Sequence, residues 1–318
     1  MDYAMNSRPV TLTLAWTSPL AGDAYHELRA PKMDGRPVVP ISVDGVQRLD
    51  LYDPAHGPVP VGQLPGAPAE VQSLCAVIGN GQELVVTATR EGHIQVWDLA
   101  TKAHAAAFDT GELWAIGAVQ VRDTELIGAG CDADSMVSLW NPDGGARAGA
   151  VGNLDISPTM MCTLLSYGRR LLATANGDED HVQIWDLAKN EEWARLDGQR
   201  GGTAAICAVG DPVGDQLIAT SDCFGGLSTW DPTTGEKVAT ITGHQGSAHN
   251  LFPVHVGGLH LLASTADADD HLRLWDPATG DQVADLALPA VGMDGVQAGD
   301  YLLFQYVDGI GACQITVG

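Results

Sequence analysis

An aromatic residue recurs through this chain at an almost fixed interval. Tyr52, Trp97, Trp140, Trp185, Trp230 and Trp275 are separated by 45, 43, 45, 45 and 45 residues, and a period this regular marks an array of one supersecondary unit. Each aromatic occupies the same place in a similar stretch: RLDLYDPAHGPVPV (48–61), HIQVWDLATKAHAA (93–106), MVSLWNPDGGARAG (136–149), HVQIWDLAKNEEWA (181–194), LSTWDPTTGEKVAT (227–240) and HLRLWDPATGDQVADL (271–286). In the last copy, Leu272 and Leu274 on one side and Val283 and Leu286 on the other flank Asp276-Pro277-Ala278-Thr279-Gly280. Proline fixes φ and glycine tolerates positive φ at the end of the turn, so two strands meet across a tight polar loop.

On these residues the chain resembles the WD-repeat β-propeller family, whose third strands usually end in Trp-Asp, as Trp97-Asp98, Trp185-Asp186, Trp230-Asp231 and Trp275-Asp276 do here. The resemblance covers nearly the whole chain. It implies an all-β fold, a seven-bladed β-propeller of four-stranded antiparallel blades. The Gly-His dipeptide that opens repeats of the family survives only as Gly243-His244. The family's buried network of His, hydroxyl, Asp and Trp is implied for His244, Thr265, Asp269 and Trp275. Blade 2 keeps only Thr87, Glu91 and Trp97, so most blades must hold their shape by apolar packing and ladder bonds.

Six marked copies leave both ends of the chain to account for. RPVTLTLAW (8–16) alternates like a strand without a local partner, and GVQAGDYLLFQYVDGIGACQITVG supplies three strands separated by Gly and Asp turns. Pairing the lone strand with these three completes a seventh blade and removes two exposed sheet edges. The expected layout is one propeller domain over 1–318. The closing strand lies at about 8–17, and blades 1 to 7 begin near residues 22, 66, 111, 155, 199, 243 and 290, with blade 7 completed by 8–17.

Charge narrows the partners. Forty acidic residues against 16 basic ones give a formal net charge of -24, which repels nucleic acid and anionic membrane surfaces. No apolar run approaches the ~18 residues of a membrane-spanning helix, and MDYAMNSRPV lacks the basic start and apolar core of a secretory signal. The expected location is the cytoplasm. Arginine outnumbers lysine 12 to 4, which, with abundant Ala and Gly, fits a GC-rich bacterial genome. Cys75, Cys162 and Cys207 occupy one position in successive inner strands, so disulfides are not expected. The remaining cysteines lack CxxC spacing, and no phosphate loop, GxSxG or HExxH motif is present. No metal and no cofactor is expected.

Two groups of residues are candidates for function. The turns between second and third strands carry Asp44, Glu91, Asp132 with Asp134, Asp178 with Glu179 and Asp180, Asp222, Asp267 with Asp269 and Asp270, and Asp308. Asp is favoured in turns, which explains such a pattern without function; alternatively these carboxylates form an acidic rim for basic peptides or a cationic molecule. The starts of the inner strands align His26, Gln72, Trp114, Thr159, Ala204, His249 and Asp294 around the channel mouth. His249, Asp294 and His26 fall on neighbouring blades, where two imidazoles flanking a carboxylate could relay protons or bind a divalent metal with open coordination positions. Trp114 could stack on a flat or cationic ligand, beside Gln72 and Thr159. His93, His181 and His271 open third strands and read as surface residues.

Two functions from different classes follow. One is a non-catalytic binding scaffold with an acidic face for a basic protein or peptide, contacted by Asp132, Asp134, Asp178, Glu179 and Asp180. The other is a small-molecule enzyme using His26, His249 and Asp294 at the channel mouth for acid–base catalysis. The absence of a catalytic motif favours the scaffold.

Overall fold

The computed structural model describes residues 9–19, 30–42, 46–131, 135–152, 157–306 and 309–318. Among these residues every regular element is a β-strand, and no helix is long and apolar enough to cross a membrane. Six four-stranded antiparallel sheets and one three-stranded sheet succeed one another along the chain. The inner strands Ser73–Gly79, Leu113–Val121, Met160–Ser166, Thr203–Gly210, Asn250–Val256 and Gly292–Ala298 pack side by side around a central channel. Blade 1 shows Val39–Ser42, Arg48–Tyr52 and Gly62–Pro65. Its inner strand, expected around His26, lies outside the described residues. The fold is a seven-bladed β-propeller.

The ring closes through blade 7. Val10–Pro19 pairs antiparallel with Gly309–Val317, outside Tyr301–Tyr306 and Gly292–Ala298. This closing strand runs two residues past the expected end. Trp16 Nε1 donates to the Pro54 carbonyl at 2.8 Å and so ties the closing strand to blade 1.

The repeated Trp-Asp pair has two separate physical reasons. The acidic or amide side chain accepts the backbone N–H two or three residues on, as Asp53 does from Ala55, Asp98 from Thr101, Asn141 from Asp143, Asp186 from Ala188, Asp231 from Thr233 and Asp276 from Ala278. These bonds fold the loop to the outer strand. Four residues after that side chain, the backbone takes positive φ in all six copies, at Gly57, Lys102, Gly145, Asn190, Gly235 and Gly280.

The aromatic reaches out of its own blade. In blades 2 to 6 the pairing of third and outer strands shifts register at or beside the tryptophan, a bulge that re-aims a side chain. Trp97 packs with Leu49, Leu51 and Leu64 of blade 1, and Trp140 packs against the core of blade 2. Trp185 joins Val119, Val137 and Leu139 of blade 3, Trp230 the core of blade 4 and Trp275 that of blade 5. Tyr52 joins Val296, Leu303 and Ile310 of blade 7. Each aromatic therefore fills the core of the preceding blade.

Blade 6 also carries a polar network. His244 Nδ1 lies 3.0 Å from Asp269 Oδ2, and His244 Nε2 lies 2.7 Å from the Ser264 hydroxyl, to which Trp275 Nε1 donates at 2.7 Å. The hydroxyl of the network is thus Ser264, a correction to the expectation for Thr265, whose Oγ1 is buried without a partner. Adjacent strand residues point to opposite faces, so a shift of one residue exchanges the two roles. Burial holds the His244 imidazole below its usual pKa against the pull of Asp269. Burial raises the Asp269 carboxyl, but Arg273, the Gln245 N–H and His244 outweigh that effect and hold it low. Elsewhere the tryptophan N–H is treated unevenly: Trp230 donates to Thr220, whereas Trp140 and Trp185 have no partner.

Two stability outcomes follow from these geometries. Lys102→Gly relieves a left-handed lysine, and net of glycine's greater chain entropy it should raise stability by about 0.5 kcal/mol or more in urea unfolding; a lower midpoint contradicts the turn geometry. Ser264→Ala should cost about 1–3 kcal/mol because it strands the buried Trp275 N–H and the His244 Nε2, while Thr265→Val should be neutral or stabilising. Equal losses in the two variants would restore Thr265 to the network.

Candidate functional site

Inner strands of neighbouring blades lie at matching height, so residues at equivalent strand starts converge. Gln72, Trp114, Thr159, Ala204, His249 and Asp294 all line one cavity of about 460 Å³ at the channel mouth, within the ~300–1,000 Å³ of ligand pockets. His26 lies outside the described residues. Below the rim the wall turns apolar, with Ile116, Met160, Met161, Leu251 and Phe252. Cys162 also lines the wall, but burial pushes its thiol up to about 12, which removes it as a nucleophile at neutral pH.

The structure brings His249 and Asp294 to this cavity but gives them different neighbours. His249 is exposed, and its Nε2 lies 3.3 Å from Asp267 Oδ2, on its own blade. Asp294 is buried and its Oδ1 accepts the Gly295 N–H at 2.7 Å. Trp114 carries the Arg90 guanidinium over its ring, 4.6 Å from the centroid, so the chain itself supplies a cation to that aromatic. A ligand cation would have to take the other face or displace Arg90.

Sequence reasoning missed Asn250. It opens the inner strand of blade 6, is 4 % exposed and lines the cavity, and its Nδ2 has no hydrogen-bond partner. Buried polar groups are nearly always paired, and an asparagine at a strand start reads as an ordinary turn residue. Nothing in its sequence context marks it.

The rim carboxylates divide into spent and available groups. Asp222 accepts the Phe224 and Gly226 N–H groups and pairs with Arg200, and Asp269 belongs to the blade 6 network. Neighbouring backbone N–H groups and side chains hold them. Asp178, Asp180, Asp267 and Asp270 remain exposed and Glu179 half-exposed, on blades 4 and 6. Exposed Glu91 is held below its usual pKa by a backbone N–H and the Thr89 hydroxyl. Asp44, Asp132, Asp134 and Asp308 lie outside the described residues.

His181 is 8 % exposed, a correction to its reading as a surface residue, because the turn of Glu179 and Asp180 folds over it. Its Nδ1 is 3.6 Å from Glu179 Oε2 and 3.7 Å from Asp180 Oδ1, too long for direct hydrogen bonds. The three ligand atoms lie within 4.8 Å of one another, close enough to share a metal ion.

No family model matches the chain, and no curated protein matches it. Among solved structures it is similar to BBS1N, determined in complex with ARL6DN and soaked with lead. The two share 12% identity at a TM-score of 0.78, over 95% of this chain and 96% of that one. At that identity the likeness shows the fold: this is a protein of the seven-bladed β-propeller class.

Asn250→Leu replaces an unpartnered buried donor with an apolar group of similar size. The thermal midpoint should rise, by the equivalent of about 1 kcal/mol; a fall would mean that the amide has a structural partner.

Proposed function

We propose that this propeller is a non-catalytic binding protein whose acidic channel-mouth face receives a basic protein segment or a cationic ligand. The carrying observation is the 460 Å³ cavity on the face where blades 4 and 6 carry the exposed carboxylates Asp178, Asp180, Asp267 and Asp270, Asp267 beside His249. A net charge of -24 steers cations toward any part of this molecule, and the cavity gives one mouth a shape that an inserted side chain can fill. The similar propeller BBS1N was solved in complex with another protein, ARL6DN, which supports a binding role for such a scaffold. The WD-repeat resemblance supports the same reading. His249 acts here as a rim residue paired with Asp267, and Asp294 as a buried residue of the same cavity wall.

The test uses a fluorescent decapeptide of alternating lysine and alanine, with its glutamine analogue as control. Reversing Asp178, Glu179 and Asp180 to lysine should weaken peptide binding about tenfold or more and flatten its salt dependence, since exposed charges act over a screening length of ~8 Å. His249→Gln should leave affinity within about twofold. Equal binding of the lysine and glutamine peptides would overturn the acidic-face reading. A loss confined to His249→Gln would move the site to small-molecule chemistry at the mouth.

A further inference from the structure

The channel has a second mouth with the opposite hydrogen-bonding character. The inner strands that begin at the first cavity end at another of about 820 Å³, and Glu125 and Thr163 line both. At this end the acceptor oxygens are consumed by neighbouring blades. Gln216 Oε1 accepts the Leu165 N–H at 2.8 Å, Gln297 Oε1 accepts the His255 N–H at 2.7 Å, and Gln120 Oε1 accepts Arg170 Nη1 at 2.6 Å. The Glu125 carboxylate accepts the Ile78 N–H. These bonds clasp blade 2 to 3, 3 to 4, 4 to 5 and 6 to 7.

Beside Glu125, the one carboxylate of this lining among the described residues, the clasps leave over donors. A carboxamide whose oxygen is occupied still carries an NH₂ group, and Gln120 and Gln216 both line this cavity in that state. Lys32 and Arg170 line it too. Elsewhere the arginines Arg48, Arg169, Arg195, Arg200 and Arg273 are each paired with a carboxylate. Among the described residues neither Lys32 nor Arg170 has one, in a chain with 40 acidic side chains. His255 contributes no spare acceptor at Nε2, which is 2.8 Å from the Gly210 carbonyl.

We propose that this second mouth binds a small polyanion, its carboxylate or phosphate oxygens held by Lys32 and Arg170 and by the carboxamide N–H groups of Gln120 and Gln216. The overall negative field works against any anion, so a singly charged one gains little. A ligand with several anionic oxygens can engage both cations and both amides at once, and charge-assisted bonds of this kind are the strong ones. The site lies at the other end of the channel from the acidic face, and its test is independent of that reading.

The test is calorimetric titration of the full chain with sodium pyrophosphate and, separately, with sodium citrate, at constant ionic strength in chloride. At least one anion should bind 1:1 with a Kd below about 1 mM; preference for pyrophosphate identifies phosphate oxygens as the ligand, and preference for citrate carboxylates. Lys32→Gln and Arg170→Gln should each weaken binding about tenfold or more. The Lys32 side chain is exposed and, among the described residues, has no hydrogen bond or ion pair, so its variant remains informative if Arg170→Gln unsettles the clasp to Gln120. Arg195→Gln makes the same charge change outside the cavity and should leave affinity unchanged. Failure of both anions to saturate would overturn the proposal, as would equal weakening in Arg195→Gln and Lys32→Gln.

Discussion

The ring depends on one contact repeated: an aromatic side chain leaving its own sheet to fill the core of the blade before it. Tyr52 and the five repeat tryptophans make six of the seven seams this way. Tyrosine and tryptophan bury large apolar areas, so no blade has a complete core until its successor arrives. The seam between blades 6 and 7 is filled differently, by Phe304 and Tyr306 packing with Phe252, Val254, Leu272 and Leu274. Blade 7 carries its aromatics on the second strand, not the third. Six of the seven seams join units adjacent in the chain. The seam of Tyr52 with blade 7 must close over the full chain length, and there the fold adds the strand Val10–Pro19 and the Trp16 bond to Pro54.

The same register that aligns the seams builds two unlike mouths. Because all described inner strands start at one end of the channel, whatever the strand starts carry is presented together, and so is whatever the strand ends carry. Starts follow turns, where Asp is favoured for its local backbone bonds; ends are where long carboxamides reach across to the next blade's N–H groups. The carboxylates of the second turns stand at the end where the inner strands start, and the carboxamide clasps at the end where they finish, while Glu125 and Thr163 line both cavities.

The repeat, the turn chemistry and the ring closure were legible because they are local or periodic: a Trp-Asp pair and a turn glycine recur at fixed offsets. Most of the strand-start alignment was legible for the same reason, since Gln72, Trp114, Thr159, His249 and Asp294 line one cavity. What escaped the sequence depends on register to a single residue or on partners far apart in the chain. Ser264 and Thr265 are both hydroxyls in one strand, and only the pairing of Ser264 with Arg273 and Leu251 places it beside His244. The Arg90 guanidinium over Trp114 joins a turn of blade 2 to the inner strand of blade 3. The carboxamide clasps join residues 42 to 51 apart. No pattern of residue types distinguishes these glutamines from solvated ones.

The seam between blades 6 and 7 separates packing from polar satisfaction. A Cβ on Gly295 would stand 2.7 Å from Phe252 Cε1, and one on Gly292 would stand 2.8 Å from Thr265 Cγ2. The seam therefore has no slack, and its glycines are required by the closeness of the backbone to its neighbour. In this filled space Asn250 Nδ2 and Thr265 Oγ1, on directly paired residues, still lack partners. Loose packing cannot be the cause, so the cost of each is intrinsic to the residue type chosen, and an apolar side chain would remove it. Thr265 is sealed away from the channel. Asn250 lines it, and among the described residues it is the one unpartnered buried polar group that does. A seam that closes its other contacts to van der Waals distance thus keeps an unused donor beside the cavity, at a cost set by the asparagine itself.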